Sequence, residues 1–204
     1  MKPVIDYAIY LVTDRHCLGG RDFYTCLEAA LKGGVTLVQL REKDAAFEEF
    51  VAVGKKVQDL CRKYQVPLII NDNIEVAKAL GAEGVHLGQE DNKLEMARRI
   101  LGNDAIIGIS THNVEEAKMA EAAGADYLGV GALYSTGSKA DAKNVGLETL
   151  RQVRAAVQLP LVGIGGITAA TYPTVRATGA EGCAMISGIL GADDIEATVR
   201  GLKG

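Results

Sequence analysis

The chain has 204 residues, 48% of them apolar and only 4 of them proline, so it can bury a substantial single core. A net charge of −4 and a pI near 5.5 argue against general nucleic-acid binding, so any anion site must be local. The apolar run near the N-terminus is too short for a membrane span and has no cleavage signal, which predicts a cytoplasmic protein.

The first apolar run, residues 8–12, predicts a strand, and the helix expected over 22–32 stops at Gly33 and Gly34. Further strands are predicted at residues 35–40, 68–70, 84–87, 105–109, 126–130, 161–164 and 182–186. Further helices are predicted at residues 47–64, before Gly81, and at 94–101, 114–123, 147–157, 168–177 and 193–202.

This order amounts to about eight strand-then-helix units, and the strands are apolar throughout rather than alternating. Such strands indicate a parallel sheet covered by helices, either a closed barrel or an open doubly wound sheet. A Gly-Ala-acid turn recurs at residues 81–83, 124–126 and 179–181, and repetition favours the barrel. We therefore predict a compact α/β fold, a (β/α)8 TIM barrel, as one domain over residues 1–204.

The four cysteines have neither Cys-x-x-Cys spacing nor histidines at metal-ligand intervals. We therefore expect free thiols in a reducing compartment, three of them filling helices or strands. The cysteines are Cys17, Cys26, Cys61 and Cys183.

In a TIM barrel, the loops that follow the strands meet at one rim, where active sites lie. Polar or small residues follow the strand ends of this chain, whereas the turns into the strands hold only Gly, Ala and single acids. The residues after the strands include Gln39, Arg41, Lys43, Asn71, Asp72, Asn73, Gly88, Gln89, Asp91, Ser110, Thr136, Ser138, Lys139, Gly165, Gly166, Ser187 and Gly188. This asymmetry predicts a functional site at the C-terminal rim.

Two kinds of chemistry fit these residues. The loop 136–139 combines hydroxyls, a glycine and an ammonium, which suit a phosphate, although the same residue types also form ordinary surface turns. The glycine-containing turns at 163–168 and 185–188 are further phosphate candidates. Asp72 and Asp91 follow consecutive strands and suit Mg²⁺ beside phosphate oxygens, with capping of the next helices as the alternative.

The histidines share no metal-ligand spacing. His86 lies inside a predicted strand and is interpreted as a core residue without a functional role. His112 follows a strand end, and its role stays open.

A series of short segments carries a resemblance to a known family. The segments are residues 10–14, 39–43, 71–73, 85–91, 108–110, 136–139, 162–167 and 185–187. At these positions, and in this order, the chain resembles the thiamine phosphate synthases. The resemblance implies a Mg²⁺-dependent TIM-barrel enzyme that joins hydroxymethylpyrimidine diphosphate to a carboxylated or plain hydroxyethylthiazole phosphate and releases pyrophosphate.

The resemblance also implies residue roles. The diphosphate would be held by Gln39, Arg41, Lys43, Asn71 and Lys139, and Mg²⁺ by Asp72 and Asp91. The pyrimidine would lie near Ser110, and the thiazole phosphate would bind Thr136, Ser138, Gly166, Ile186 and Ser187. The candidate catalytic residues are Lys139, Arg41 and Ser110. The family loop reads Thr-x-Thr-Lys, and here Ser138 keeps the hydroxyl of the second Thr.

Two other functions compete with the synthase. A thiazole tautomerase of the same fold would not need Asp72, Asp91 and Lys139, although His112 keeps this alternative open. An inert phosphate-binding module would have lost the two carboxylates, which are present. The expected partners are small-molecule substrates, with no nucleic acid and no membrane, and the oligomeric state, homo-oligomers included, is left open.

Overall fold

A computed structural model of the chain describes residues 2–89, 92–135 and 144–203. The strands are β1 (Ile9–Val12), β2 (Leu37–Leu40), β3 (Leu68–Asn71), β4 (Gly84–Leu87), β5 (Ile106–Thr111), β6 (Tyr127–Val130), β7 (Leu161–Ile164) and β8 (Gly182–Met185). The α-helices are α1 (Phe23–Gly33), α2 (Phe47–Lys63), α3 (Ile74–Leu80), α4 (Lys93–Leu101), α5 (Val114–Ala122), α6 (Gly146–Ala156), α7 (Tyr172–Arg176), α8 (Ser187–Leu190) and α9 (Ile195–Gly201). No helix in these ranges combines the length and apolarity that crossing a membrane requires.

The eight strands form a closed parallel barrel in sequence order. The last strand pairs with the first, with Ile9 opposite Cys183 and Leu11 opposite Met185. The predicted TIM barrel is therefore confirmed, and the open doubly wound sheet is excluded.

The structure differs from the local predictions in three respects. The helix predicted over 168–177 is only α7, because residues 168–171 form a turn and Pro173 occupies the first turn of the helix, where a missing N–H costs least. Short helical segments at Arg15–Leu18 and α8 were not predicted. Ser110, expected after β5, belongs to that strand.

The core has two layers, one on each face of the barrel. Strands and helices enclose the outer layer, which includes most of the buried residues. The inner layer fills the barrel with side chains that alternate along the strands. It consists of Tyr7, Tyr10, Val12, Leu37, Ile69, Ile106, Tyr127, Val162 and Ala184. Both faces of each strand are buried, which explains why the strands are apolar throughout.

The repeated Gly-Ala-acid turns form identical clamps at the N-terminal ends of paired strands. The Oε2 of Glu83 accepts a hydrogen bond from the backbone N–H of Leu68 at 2.7 Å, and the N–H of Glu83 donates to the Leu68 carbonyl at 3.1 Å. The equivalent pairs are Asp126 with Ile107 and Glu181 with Leu161. In the turn before β2, the hydroxyl of Thr36 takes the place of the carboxylate and accepts a hydrogen bond from the N–H of Ile9 at 3.0 Å. The weak sequence repeat is thus a fourfold structural repeat.

Candidate active site

A cavity of about 270 Å³ opens among the residues that end or follow the strands. Most of the predicted site residues that the structure describes line it: Gln39, Arg41, Asn71, Ser110, Gly166, Ile186 and Ser187. They come from β2, β3, β5, β7 and β8 and the loops that follow, so their convergence depends on barrel closure.

A second cavity of about 630 Å³ adjoins the first and shares Arg41 and Ser187 with it. Lys43 lines this second cavity rather than the first. The loop after β1 contributes Arg15 and His16 to the same wall. The two cavities together offer adjoining spaces with a guanidinium at their boundary.

Some predicted site residues lie outside the residues that the structure describes. These are Asp91, Thr136, Ser138 and Lys139. Their roles therefore stay predictions. The base of the loop that leads to residue 136 is described: the N–H of Leu133 donates to the Ile164 carbonyl at 2.9 Å, and the N–H of Tyr134 donates to the Gly165 carbonyl at 3.0 Å. The loop after β6 therefore starts from a base fixed against β7.

Arg41 is buried at the cavity boundary and paired with Asp14. Its Nη1 donates to Oδ2 of Asp14 at 2.9 Å, and its backbone N–H donates to the hydroxyl of Thr13 at 3.0 Å. Oδ1 of Asp14 lies 3.0 Å from the backbone nitrogen of His16 and 2.9 Å from its Nδ1.

Several contacts act on the charge of Asp14. Burial alone raises the pKa of this carboxyl, but the hydrogen bonds from His16 and the charge of Arg41 outweigh burial and lower it below its usual value. The anionic carboxylate holds the guanidinium in place. The other guanidinium N–H groups, which make no hydrogen bond within the described ranges, can receive an anion. Asp14 is not among the site residues predicted from the sequence, although Asp14 follows the end of β1 by two positions.

Asp72 has a left-handed backbone, with φ of 58°. Few side chains tolerate this conformation, and aspartate is among those that do. Its N–H donates to the carbonyl of His86 at 2.9 Å, whereas the next helix is capped by Asn73, whose side chain accepts from the N–H of Val76. The capping alternative is therefore wrong for Asp72. Its exposed carboxylate has no hydrogen bond or ion pair within residues 2–89, 92–135 and 144–203.

Two successive glycines shape the turn after β7. Gly165 and Gly166 have φ of 98° and 65°, which disfavour other residues. A Cβ on Gly166 would lie 2.6 Å from the carbonyl oxygen of Ser135. The glycines thus let the loops after β6 and β7 approach closely beside Ser187, the first residue of α8.

A chain of hydrogen bonds crosses the barrel interior and ends at Ser110. Gln39 Nε2 lies 2.7 Å from the Tyr10 hydroxyl, which lies 2.8 Å from the Tyr127 hydroxyl. The Tyr127 hydroxyl lies 2.8 Å from His86 Nδ1, and His86 Nε2 lies 3.0 Å from Ser110 Oγ.

All five members of this chain line the cavity. Reading His86 as a plain core residue was therefore incomplete, and Tyr10 and Tyr127 were missed. The signal that could have found them is period-two alternation, which points Tyr10, Gln39 and His86 into the barrel.

His112, whose role the sequence left open, also lines the cavity. Its Nδ1 lies 2.9 Å from Oε2 of Glu116, which also accepts from the His112 backbone N–H at 2.8 Å. The imidazole is thus held by the helix that follows it.

The cysteines are free, as expected. Burial raises the pKa of the Cys61 and Cys183 thiols to about 12, so both stay protonated at neutral pH and are poor nucleophiles. Within the described residues, no three His, Cys, Asp or Glu side chains cluster closely enough to hold a metal ion. The expected Mg²⁺ site combines Asp72 with Asp91, which lies outside those residues.

A family model described as thiamine monophosphate synthase matches residues 9–189. The chain belongs to this family. A thiamine-phosphate synthase from Clostridium acetobutylicum is 50% identical over 196 residues, covering 96% of this chain and 93% of the relative. A second, from Desulfitobacterium hafniense, is 49% identical over 199 residues, covering 97% of this chain and 96% of the relative.

The solved structures agree. Thiamine phosphate pyrophosphorylase from Pyrococcus furiosus superposes with a TM-score of 0.89 and 38% identity, covering 97% of this chain and 94% of that one. Membership of the thiamine monophosphate synthase family confirms the resemblance read from the sequence. It makes the chain a transferase of thiamine biosynthesis and does not favour the tautomerase alternative.

Proposed function

We propose that this chain condenses hydroxymethylpyrimidine diphosphate with hydroxyethylthiazole phosphate, giving thiamine phosphate and pyrophosphate. The observation that carries the proposal is the convergence of Gln39, Arg41, Asn71, Ser110 and Ser187 on a single cavity. A guanidinium, amides and hydroxyls at one rim suit two phosphorylated substrates and a polar heterocycle.

The diphosphate binds at the boundary between the two cavities. Arg41 already has one guanidinium edge fixed by Asp14, so its remaining donors meet the leaving group without reorganisation. Lys43 lines the adjoining cavity, and Lys139 adds a third cation from the loop after β6. Because negative charge builds on the departing pyrophosphate, these three cations lower the barrier in the dissociative step.

Asp72 and Asp91 are the proposed Mg²⁺ ligands. Mg²⁺ prefers oxygen ligands and keeps several waters, so one or two carboxylates with substrate phosphate oxygens suffice. The carboxylate of Asp72 fits this role because it is exposed and unengaged by any described residue, on a backbone conformation unusual for a non-glycine residue. When bound, the ion supplies positive charge to the pyrophosphate oxygens.

The thiazole phosphate binds at the turns after β7 and β8. Gly166, Ile186 and Ser187 line the cavity there, and the glycine backbone allows close approach of a phosphate. Thr136 and Ser138 complete this subsite from the loop after β6. With its phosphate anchored, the thiazole nitrogen attacks the pyrimidine methylene carbon, and no protein nucleophile is required.

The test is coupling of the two phosphorylated halves by the purified chain, with Mg²⁺ or with a chelator, followed by detection of thiamine phosphate and pyrophosphate. We expect equal amounts of both products with Mg²⁺ and neither with chelator. A folded protein that binds thiazole phosphate but forms no thiamine phosphate would overturn the proposal. An assay for thiazole isomerisation would then be the next experiment.

A further inference from the structure

We propose that, in the series of hydrogen bonds from Gln39 through Tyr10, Tyr127 and His86 to Ser110, each residue donates to the next. The hydroxyl of Ser110 then faces the cavity as a donor. His86 is then a positioning residue, which acts on the ligand through Ser110. This inference deepens the proposed synthase function and rests on it for the identity of the ligand.

The direction follows from the chemistry at the Gln39 end. Nε2 of Gln39 can only donate, so the hydroxyl of Tyr10 accepts there. Either tyrosine hydroxyl can donate in the contact between them, and we assign Tyr10 as the donor to Tyr127. Tyr127 in turn donates to Nδ1 of His86. A neutral imidazole that accepts at Nδ1 carries its proton on Nε2 and donates it to Oγ of Ser110. The proton of Ser110 remains for a group in the cavity.

The packing inside the barrel leaves space for this series of hydrogen-bonded side chains. A Cβ on Gly108 would overlap the ring of Tyr127, and a Cβ on Gly129 would lie 3.1 Å from Cε1 of His86. The two glycines therefore leave room for the two rings. Tyr10 and Tyr127 are almost fully buried, and burial raises the pKa of both phenols far above neutrality, so both keep the protons that the chain needs.

The consequence concerns which ligand atom faces Ser110. A hydroxyl that already accepts from His86 is oriented to donate, so the matching ligand atom is an acceptor such as an unprotonated ring nitrogen. With the opposite direction, Ser110 would donate to His86 and would face the cavity as an acceptor. The direction of these hydrogen bonds therefore determines whether the heterocycle must present an acceptor or a donor to Ser110.

The direct test is the tautomer of His86 in the ligand-free protein. Long-range ¹H–¹⁵N correlation spectra of ¹⁵N-histidine-labelled protein at neutral pH distinguish the two tautomers and the imidazolium. The His86 signal is assigned by its absence in His86→Gln. We expect a protonated Nε2 and an unprotonated Nδ1. A proton on Nδ1, with or without one on Nε2, would overturn the proposal.

A pair of substitutions separates positioning from packing. His86→Gln can place an amide N–H near the position of Nε2 and keep the donor to Ser110, whereas His86→Asn is too short to reach it. We expect the KM for the pyrimidine substrate to stay within about threefold in His86→Gln and to rise about tenfold in His86→Asn, the effect of one lost hydrogen bond, with a smaller change in kcat. Equal behaviour of the two variants would contradict a positioning role.

Tyr127→Phe interrupts the chain one step earlier and has a matched control. Tyr7→Phe removes the same atom from a neighbouring ring of the inner core, whose centroid lies 4.8 Å from that of Tyr127. We expect KM to rise several-fold only in Tyr127→Phe; equal KM values in the two variants would contradict the proposal. If the wild-type chain forms no thiamine phosphate, the synthase proposal fails, while the tautomer spectrum still decides the direction of the chain.

Discussion

At the N-terminal ends of the strands, Glu83, Asp126 and Glu181 each accept a hydrogen bond from the backbone of the preceding strand. At the C-terminal ends, Asp72 has a carboxylate that no described residue binds. The first three carboxylates directly precede a strand within Gly-Ala-acid turns, whereas Asp72 directly follows β3 between two asparagines. For these four carboxylates, the end of the barrel separates those that bind the backbone from the one that has no described partner.

The backbone angles at these carboxylates and their turns also differ. Within the repeated turns at the N-terminal rim, positive φ values fall on the glycines, with 59° at Gly81, 89° at Gly124 and 91° at Gly179. At the C-terminal rim, positive φ values fall on Gly165 and Gly166 and also on Asp72, where φ is 58°. A glycine would adopt that angle at lower cost, so retaining an aspartate there favours a role for its side chain.

The largest effect is expected from a substitution at the C-terminal rim, Lys139→Ala. Losing a cation that stabilises the leaving pyrophosphate should lower kcat by about 10²- to 10⁴-fold, the range for preorganised charge stabilisers. Steady-state coupling rates measure this. Lys118→Ala, at an exposed position on α5, is the matched control and should leave the rate unchanged. Near-normal turnover in Lys139→Ala would refute the role.

A second substitution at the same rim, Asp72→Asn, tests the metal. Asparagine tolerates the left-handed backbone, so the melting temperature should stay close to that of the wild type. The Mg²⁺ concentration for half-maximal coupling should rise by about tenfold or more, since even outer-shell partners contribute 10- to 100-fold to metal affinity. Asp59→Asn on the exposed face of α2 serves as the control. An unaltered Mg²⁺ requirement would remove Asp72 from the metal site.

Substitutions at the N-terminal rim should change the stability of the fold and leave the coupling rate unchanged. Glu83→Ala leaves the N–H of Leu68 without its acceptor and should lower the free energy of unfolding by about 1–3 kcal/mol. Glu83→Gln keeps an acceptor oxygen and should cost less. Urea denaturation measures both changes. If Glu83→Ala instead slowed coupling of the folded protein, the division between the two rims would be wrong.

The smallest effect is expected on the pH dependence of stability. The pKa of Asp14 is lowered in the folded state, so this group contributes stability that is present above its unfolded pKa of about 3.9 and is lost as pH falls through the folded value. The wild-type urea midpoint should therefore decline below about pH 4. Asp14→Asn should make that decline shallower, although its midpoint at pH 7 should be lower because Arg41 loses its partner. Equal slopes would show that Asp14 does not contribute.

The sequence predicted the barrel and the position of its site for physical reasons. Strands buried on both faces must be largely apolar, and a glycine marks the end of several helices, such as α1, α3 and α4. Polar residues such as Asn71 and Ser187 follow directly on these runs, so their meeting at one rim follows from parallel strands alone. The contacts among them, such as Arg41 with Asp14, depend on pairs 27 residues apart and could not be predicted.

The series of hydrogen bonds through His86 was not predicted, for a different reason. A histidine inside an apolar strand is usually a satisfied core residue, and His86 is indeed hydrogen-bonded within the barrel. Its link to Ser110 depends on the register that places Ser110 opposite Gly129, where the missing side chain leaves space. Parallel strands are joined by helical crossovers rather than tight turns, so no local turn signal fixes the register between β5 and β6.

The most direct test of an active site at the C-terminal rim of the barrel is a crystal structure of the protein with thiamine phosphate, pyrophosphate and Mg²⁺. We expect pyrophosphate beside Arg41 and Lys43, the ion on Asp72, and the thiamine phosphate group at Gly166 and Ser187. Binding of either anion away from this rim, or an ion that does not touch Asp72, would contradict the site proposed for this enzyme.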